Sequence, residues 1–218
     1  MIIVFSGTDG AGKSTQIGIL NEELLQKNYK VKHFWGRGGY TPLFQFLKTQ
    51  ARMLLGKKRM PQGPTKSRNE LMMRKSVSRL WLSIASIDMI LFYGLYVRWL
   101  SAIGYVVICD RYVEDTYLDF KRNFGDNFNE HGLLWKSVTF FSPKPDYAFL
   151  LHVPVEVSLE RSRLKNEPFP DSSETLAYRL DNYLDESNFS SVCFYKIDCC
   201  QSIQDVYAQI HKHLRDVM

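Results

Sequence analysis

Apolar residues in this chain fall in short continuous runs separated by stretches where they recur every three or four positions. Continuous runs mark strands buried on both faces, and the wider spacing marks helices that bury one side. Runs at 1–5, 31–35, 105–109, 147–153 and 193–197 predict five strands. Helical spacing follows in Ile17, Leu20, Leu24 and Leu25, over 80–97, over 155–161, and in Ile203, Val206, Tyr207, Ile210 and Leu214. Alternation of strand and helix demands crossover connections, hence parallel strands. The expectation is one α/β domain over residues 1–218, with a central parallel sheet, helices on both faces and a short lid near 160–172.

The stretch 80–97 is apolar enough to raise the question of a membrane span. Asp88 sits at its middle, and a charge at the bilayer centre costs about 2.5 to 3.5 kcal/mol even on lenient scales. A long core helix is the expectation, and a buried Asp88 then needs a partner, which makes it a candidate polar contact for a ligand.

Composition adds bounds. With 218 residues and 45% hydrophobic content the chain can bury a full core, and a net charge of +5 suits anionic ligands. The four cysteines, Cys109, Cys193, Cys199 and Cys200, have no metal-ligand spacing and are expected as buried thiols in a reducing compartment. The N-terminus leads directly into a strand rather than a signal peptide, so a cytoplasmic location is expected.

The chemistry is concentrated where the first run ends. Gly7-Thr8-Asp9-Gly10-Ala11-Gly12-Lys13-Ser14, followed by Thr15, fits the spacing G-x-x-x-x-G-K-[ST] between a strand and a helix. Glycines let backbone N–H groups point inward, Lys13 reaches the β- and γ-phosphates, and the Ser14 hydroxyl can ligate Mg²⁺. The helix that follows adds its positive end to the anion site. Residues 7–15 therefore form the candidate ATP site.

Other strand ends carry matching groups. Arg37 projects from the glycine-flanked loop 36–43, where a guanidinium can fork onto a phosphate. The third run ends in Asp110-Arg111, with Asp110 placed to orient the metal and Arg111 in reach of phosphate oxygens. Arg161 and Arg163 lie where a basic, proline-broken segment can close over a triphosphate. Between Tyr40 and Arg79 ten basic residues face one acidic residue, Glu70; this is an anion-attracting rim, a contact for nucleic acid or acidic lipid, or a solvated face. No aromatic interleaving of the kind that stacks bases accompanies it.

These stretches together resemble the thymidylate kinase family of P-loop kinases across nearly the whole chain. The resemblance rests on residues 5–15, Arg37 with 39–43, 104–112, 143–150, the arginine-bearing stretch 160–165 and 178–183. It implies that Lys13 and Ser14 hold donor phosphates and Mg²⁺, that Asp9 faces the acceptor sugar, and that Arg37 and Arg111 grip the acceptor phosphate. Gly10 stands where some members have an arginine, so the resemblance implies a catalytic arginine from the lid, Arg161 or Arg163.

Two departures concern the acceptor. Members read thymine with a Phe and an Arg one turn later, and the ungapped positions here are Ala85 and Met89. Gly38 replaces the acidic residue that follows the phosphate-gripping arginine in many members. The remaining wall, Trp81, Ala85 and Asp88, suits an acceptor offering an amino or hydroxyl donor, with Trp81 available for stacking. The expected activity is Mg²⁺- and ATP-dependent phosphoryl transfer to a nucleoside monophosphate, with thymidine monophosphate not the best acceptor. Alternatives are a kinase for another small molecule and a nucleotide-binding regulator. A homodimer through the helix 80–97 is expected, and no nucleic-acid or membrane partner.

Overall fold

The computed structural model describes residues 1–36, 38, 41, 44, 49, 50, 53, 74–165, 171–189 and 192–215. Five strands form one sheet: β1 (Ile2–Gly7), β2 (Val31–Trp35), β3 (Val106–Asp110), β4 (Tyr147–His152) and β5 (Tyr195–Asp198). Their order is β2-β3-β1-β4-β5 and every neighbouring pair is parallel, as the alternation of apolar runs and helical stretches requires. Around the sheet and in the rest of the chain run the longer helices. They are α1 (Lys13–Gln26), α2 (Lys75–Ala102), α3 (Val113–Phe124), α4 (Leu133–Phe141), α5 (Val155–Leu164), α6 (Ser173–Leu184) and α7 (Ile203–Leu214).

The chain divides into two compact units. The first, Met1–Trp35, Leu100–Asp115 and Lys144–Met218, holds the whole sheet with α1, α5, α6 and α7. One sheet face, Ile3, Phe5, Val106, Ile108, Phe149 and Leu151, packs on Ile17, Leu20 and Leu24 of α1 and on Val206, Ile210 and Leu214 of α7. Val4, Val107 and Leu150 on the other face are fully buried as well, which is why the strands read as continuous apolar runs. From β1 the connections run one way through β2 and β3 and the other way through β4 and β5. A ligand crevice in such a sheet opens beyond the carboxyl ends of the strands at that reversal. Register brings those ends level: Phe5 pairs with Asp110, and Gly7 with Leu151.

The second unit, Gly36–Trp99 and Thr116–Pro143, holds most of α2 and α3 and all of α4. It has its own aromatic cluster, in which Trp81 stacks on Phe124 (5.1 Å, 29°) and meets Phe44 and Phe120 edge-on. α2 extends beyond the predicted 80–97 at both ends and is π-helical over Ile90–Val97. It is long and apolar enough to cross a membrane by length and composition alone, but 44% of its most apolar window is buried. Within this unit the hydroxyl of Thr41 donates to Asp88, supplying the partner that a carboxylate in a buried helix requires.

The expectation of buried thiols needs correction. All four cysteines are free, but only Cys109 and Cys199 are buried; Cys193 precedes β5 and Cys200 lies in the turn after it, so both are exposed. Most of the basic stretch 48–79, and the role expected of it, lies outside the described residues.

Candidate active site

β1 is fully buried along its length and delivers the loop to the sheet edge. Its last residue must be glycine, since a Cβ at Gly7 would lie 1.8 Å from the Leu151 carbonyl oxygen of the neighbouring strand. Gly12 caps α1 without a side-chain hydrogen bond, and no acidic residue occupies the first turn. The first amides of α1 and its positive dipole end therefore stay uncompensated by side chains, as an anion site needs. Ser14 and Thr15 are exposed on this first turn.

Lys13 is turned inward, its Nζ donating to the carbonyls of Thr8 (2.8 Å) and Gly7 (3.1 Å). Burial, and after it the charge of Arg111, lowers its pKa to about 7, against the raising effect of Asp9, Asp110 and Asp115. Asp9 Oδ1 stands 3.8 Å from this ammonium. The same oxygen accepts from Arg111, while Oδ2 accepts from Arg179 at 3.4 Å. The Asp9 carbonyl is held by the hydroxyl of Ser158 on α5.

Arg111 follows β3 in the left-handed region, φ 76°. Its amide donates to the Phe5 carbonyl (2.8 Å), and its guanidinium to the Gly7 carbonyl (3.0 Å), Asp9 and Asp115 (3.1 Å). Asp115 also accepts from the Ser6 hydroxyl, the Tyr183 hydroxyl and the Tyr112 amide. Burial pushes its carboxyl up, but Arg111 and these donors outweigh burial and hold it below the usual carboxylate range. Asp110, the last residue of β3, is buried, and its Oδ1 has no hydrogen-bond partner among the described residues. Burial raises its pKa, partly offset by Lys13 and Arg111.

The two candidate arginines of the lid sit on α5 rather than in a loop. Arg161 donates to the Gly10 carbonyl (3.0 Å) and the Cys199 carbonyl (3.0 Å), bracing the phosphate loop against the turn after β5. Arg163, two residues on, is exposed. Residues 166–170 and Arg37 lie outside the described residues. In the second unit Ala85, Asp88 and Met89 are buried and Trp81 belongs to the aromatic cluster. Gly38 is closed to any side chain there: a Cβ would meet Thr116 Cγ2 at 2.3 Å and Phe120 Cζ at 2.7 Å.

Sequence reasoning assigns no role to Ser6, Asp115, Arg179 or Tyr183, although the stretches 5–15 and 178–183 carry the family resemblance. Arg179 and Tyr183 are four residues apart on α6, a spacing that puts both on one face, and that is the one signal available. A buried carboxylate oxygen at Asp110 with no hydrogen-bond partner among the described residues, and an exposed Ser14 in the first turn of α1, fit a hard cation held by few protein oxygens. No cluster of three or more His, Cys, Asp or Glu suited to a metal occurs among the described residues.

A glycine loop between β1 and α1 at the switch point of a parallel sheet, with Lys13, Asp110 and Arg111 at its edge, defines an α/β protein of the P-loop kinase class. The chain is 28% identical over 177 residues to a thymidylate kinase of Herpetosiphon aurantiacus, covering 80% of this chain and 66%, just under two thirds, of that one. It is 27% identical to a thymidylate kinase of Caldicellulosiruptor saccharolyticus, covering 99% and 96%, and 25% identical to one of Plasmodium falciparum, covering 99% and 90%. No family model matches the chain. The chain is related to the thymidylate kinase family.

Proposed function

We propose that this chain is a nucleoside monophosphate kinase-like phosphotransferase that moves the γ-phosphoryl group of ATP to a nucleoside monophosphate. The observation that carries this reading is the convergence of Lys13, Asp9 and Arg111 at the phosphate loop, with the buried, unpartnered Oδ1 of Asp110 beside them. Phosphoryl transfer asks little covalent chemistry of a protein and much positioning and charge neutralisation. Lys13 leaves its loop carbonyls for the donor phosphates, and the α1 amides bind their oxygens. Ser14 and Asp110 would hold Mg²⁺, which when bound would neutralise charge on those oxygens. Arg111 holds the acceptor phosphate in line, joined by Arg37 on the strength of the family resemblance. Arg161 fixes the Gly10 end of the loop.

The acceptor is not read as thymine, because Ala85 and Met89 offer no polar group at the two base-reading positions. A homodimer through the exposed apolar side of α2, and a cytoplasmic location supported by four free thiols, complete the reading. Radiolabelled ATP offered with a panel of nucleoside monophosphates, nucleosides and sugars tests it. Transfer to a monophosphate, lost by a hundredfold or so in Lys13→Ala, is the expected result. Binding of ATP with no transfer to any acceptor would favour a regulator instead.

A further inference from the structure

α6 presents two buried side chains one turn apart, Arg179 and Tyr183. Arg179 donates to Asp171 and to Asp9 Oδ2, and Tyr183 donates to Asp115 Oδ1. Arg111 rests on the other oxygen of Asp9 and on that same oxygen of Asp115. Asp171, Arg179, Asp9, Arg111 and Asp115 thus form a run of alternating charges that begins just before α6 and returns to it through Tyr183. Asp171 precedes Ser172, whose hydroxyl caps α6.

The loop carboxylate is divided by this arrangement. Its Oδ1 faces Arg111 with Lys13 at 3.8 Å, and its Oδ2 is drawn to Arg179. We propose that Arg179 is a positioning residue of the phosphate site: by holding Oδ2 of Asp9 it keeps that carboxylate from closing on Lys13, and so leaves the lysine charge for phosphate. The proposal rests on the reading of residues 7–15 as a nucleoside triphosphate site. A carboxylate released on one side can turn about its own bond, and the ammonium on which phosphate binding depends stands 3.8 Å from its other oxygen. An ammonium paired with Asp9 presents a weaker field to a phosphate, and the phosphate must displace the carboxylate before it binds. Arginine suits the task because its planar fork offers N–H groups to two carboxylates at fixed angles, whereas lysine offers a point charge.

Calorimetric titration of the full chain with Mg·ATP tests this in wild type, R179Q, R179K, D9N and the R179Q/D9N double variant. R179Q is expected to bind Mg·ATP about tenfold more weakly, the scale of a lost hydrogen bond to a charged group. R179K should recover most of the loss. In the D9N background R179Q should have little further effect, because the charge that Arg179 restrains is gone. Should R179Q fail to fold, R179K and R179K/D9N give the same cycle, with a smaller loss of the same sign. Equal losses in the presence and absence of D9N, or undiminished affinity in R179Q, overturn the proposal. Wild-type binding of Mg·ATP without transfer to any monophosphate would end the kinase reading and leave this cycle intact, and a wild type that does not bind Mg·ATP overturns both.

Discussion

Arg111 holds a left-handed backbone, φ 76°, with its guanidinium 3.1 Å from Oδ1 of Asp115 four residues on. Such a conformation in a non-glycine residue costs about 1 to 3 kcal/mol and persists only where the surroundings over-determine it. Here the Phe5 and Gly7 carbonyls and two carboxylates all fix the same residue, so the strained turn presents its arginine in one place before any ligand arrives. Strain and charge pairing at this turn go with function rather than with packing alone.

Asp115→Asn should therefore cost about 3 kcal/mol of stability or more, because it leaves Arg111 buried with one partner fewer. The sign with pH follows from the depressed carboxyl: its contribution is complete above the unfolded carboxylate value, about 3.9, and is lost as pH falls through the lower folded value. Urea unfolding between pH 2 and 7 checks this, and an Asn variant whose stability falls as steeply in acid as wild type would contradict it.

The neighbouring carboxyl behaves in the opposite sense. Glu114 is buried, its Oε2 has no hydrogen-bond partner among the described residues, and burial, with Asp115 beside it, raises its pKa to about 7. The folded state holds this proton where the unfolded chain, with a value near 4.3, releases it, so stability falls as pH rises from about 4.3 to 7, by about 4 kcal/mol in all. Glu114→Gln removes the charging and should make the protein more stable than wild type at pH 8, with no gain at pH 4. Equal effects at both pH values would show that Glu114 is not buried as an acid.

Arg161 and Arg163 separate cleanly in the structure though not in the sequence. Two positions on a helix differ by about 200° in direction, and only Arg161 reaches the loop, donating to the Gly10 and Cys199 carbonyls. Arg161→Ala should lower kcat/KM by about tenfold or more, the scale of charge-assisted hydrogen bonds, while Arg163→Ala leaves it within a factor of two or so. Steady-state kinetics on the two variants check this, and a larger loss in Arg163→Ala would reverse the assignment.

What was legible in the chain, and what was not, divides by distance in sequence. The phosphate loop and the parallel sheet are written locally, as a glycine spacing and as apolar runs that need no partner to be recognised. Asp115, Ser6 and Tyr183 meet across 68 to 109 positions, and Arg179 meets Asp9 across 170, so no local pattern marks these contacts; the four-residue spacing of Arg179 and Tyr183 shows only that the two share a helix face. The exposure of Cys193 and Cys200 escaped for a related reason: a thiol reads as apolar, and only the bounds of β5 show that these two fall outside the strand. The length of α2 was underestimated because polar positions at either end of 80–97 hide its continuation.

Along α2, Leu80, Ile84, Ile87, Leu91, Leu95 and Trp99 recur every three or four residues and are each at least 37% exposed. A contiguous apolar stripe of this kind is uncommon on a protein that stays monomeric and marks an interaction surface. Wild type should sediment as a dimer, and the double variant Ile87→Glu with Leu91→Glu as a monomer, because charges placed opposite their own copies repel across an isologous interface. A wild type that sediments as a monomer at micromolar concentration would remove the stripe from the proposed assembly.

On the proposed reading, specificity for the acceptor base turns on α2 as well. Ala85 and Met89, one turn apart, are fully buried, and neither carries a polar side chain to meet a base carbonyl. The one carboxylate of that stretch, Asp88, already receives the Thr41 hydroxyl, and an ionised carboxylate can only accept hydrogen bonds. Gly38 cannot be replaced by a residue with a side chain, such as the acidic one the family resemblance leads one to expect there, without displacing Thr116 and Phe120. A site built to hydrogen-bond one base rejects analogues by as much as about 10⁴ to 10⁵, whereas apolar contacts discriminate by roughly 10- to 200-fold. Thymidine monophosphate should therefore hold no hundredfold advantage in kcat/KM over the best of the other monophosphates, and an acceptor with an amino or hydroxyl donor on its base should exceed it. Restoring the missing donor with Met89→Arg should move preference toward thymine by about 1.5 to 3 kcal/mol, the value of one charged hydrogen bond. Kinetics across the four common bases decide the matter: a hundredfold or greater preference of wild type for thymidine monophosphate would mean that Ala85 and Met89 do not line the base site.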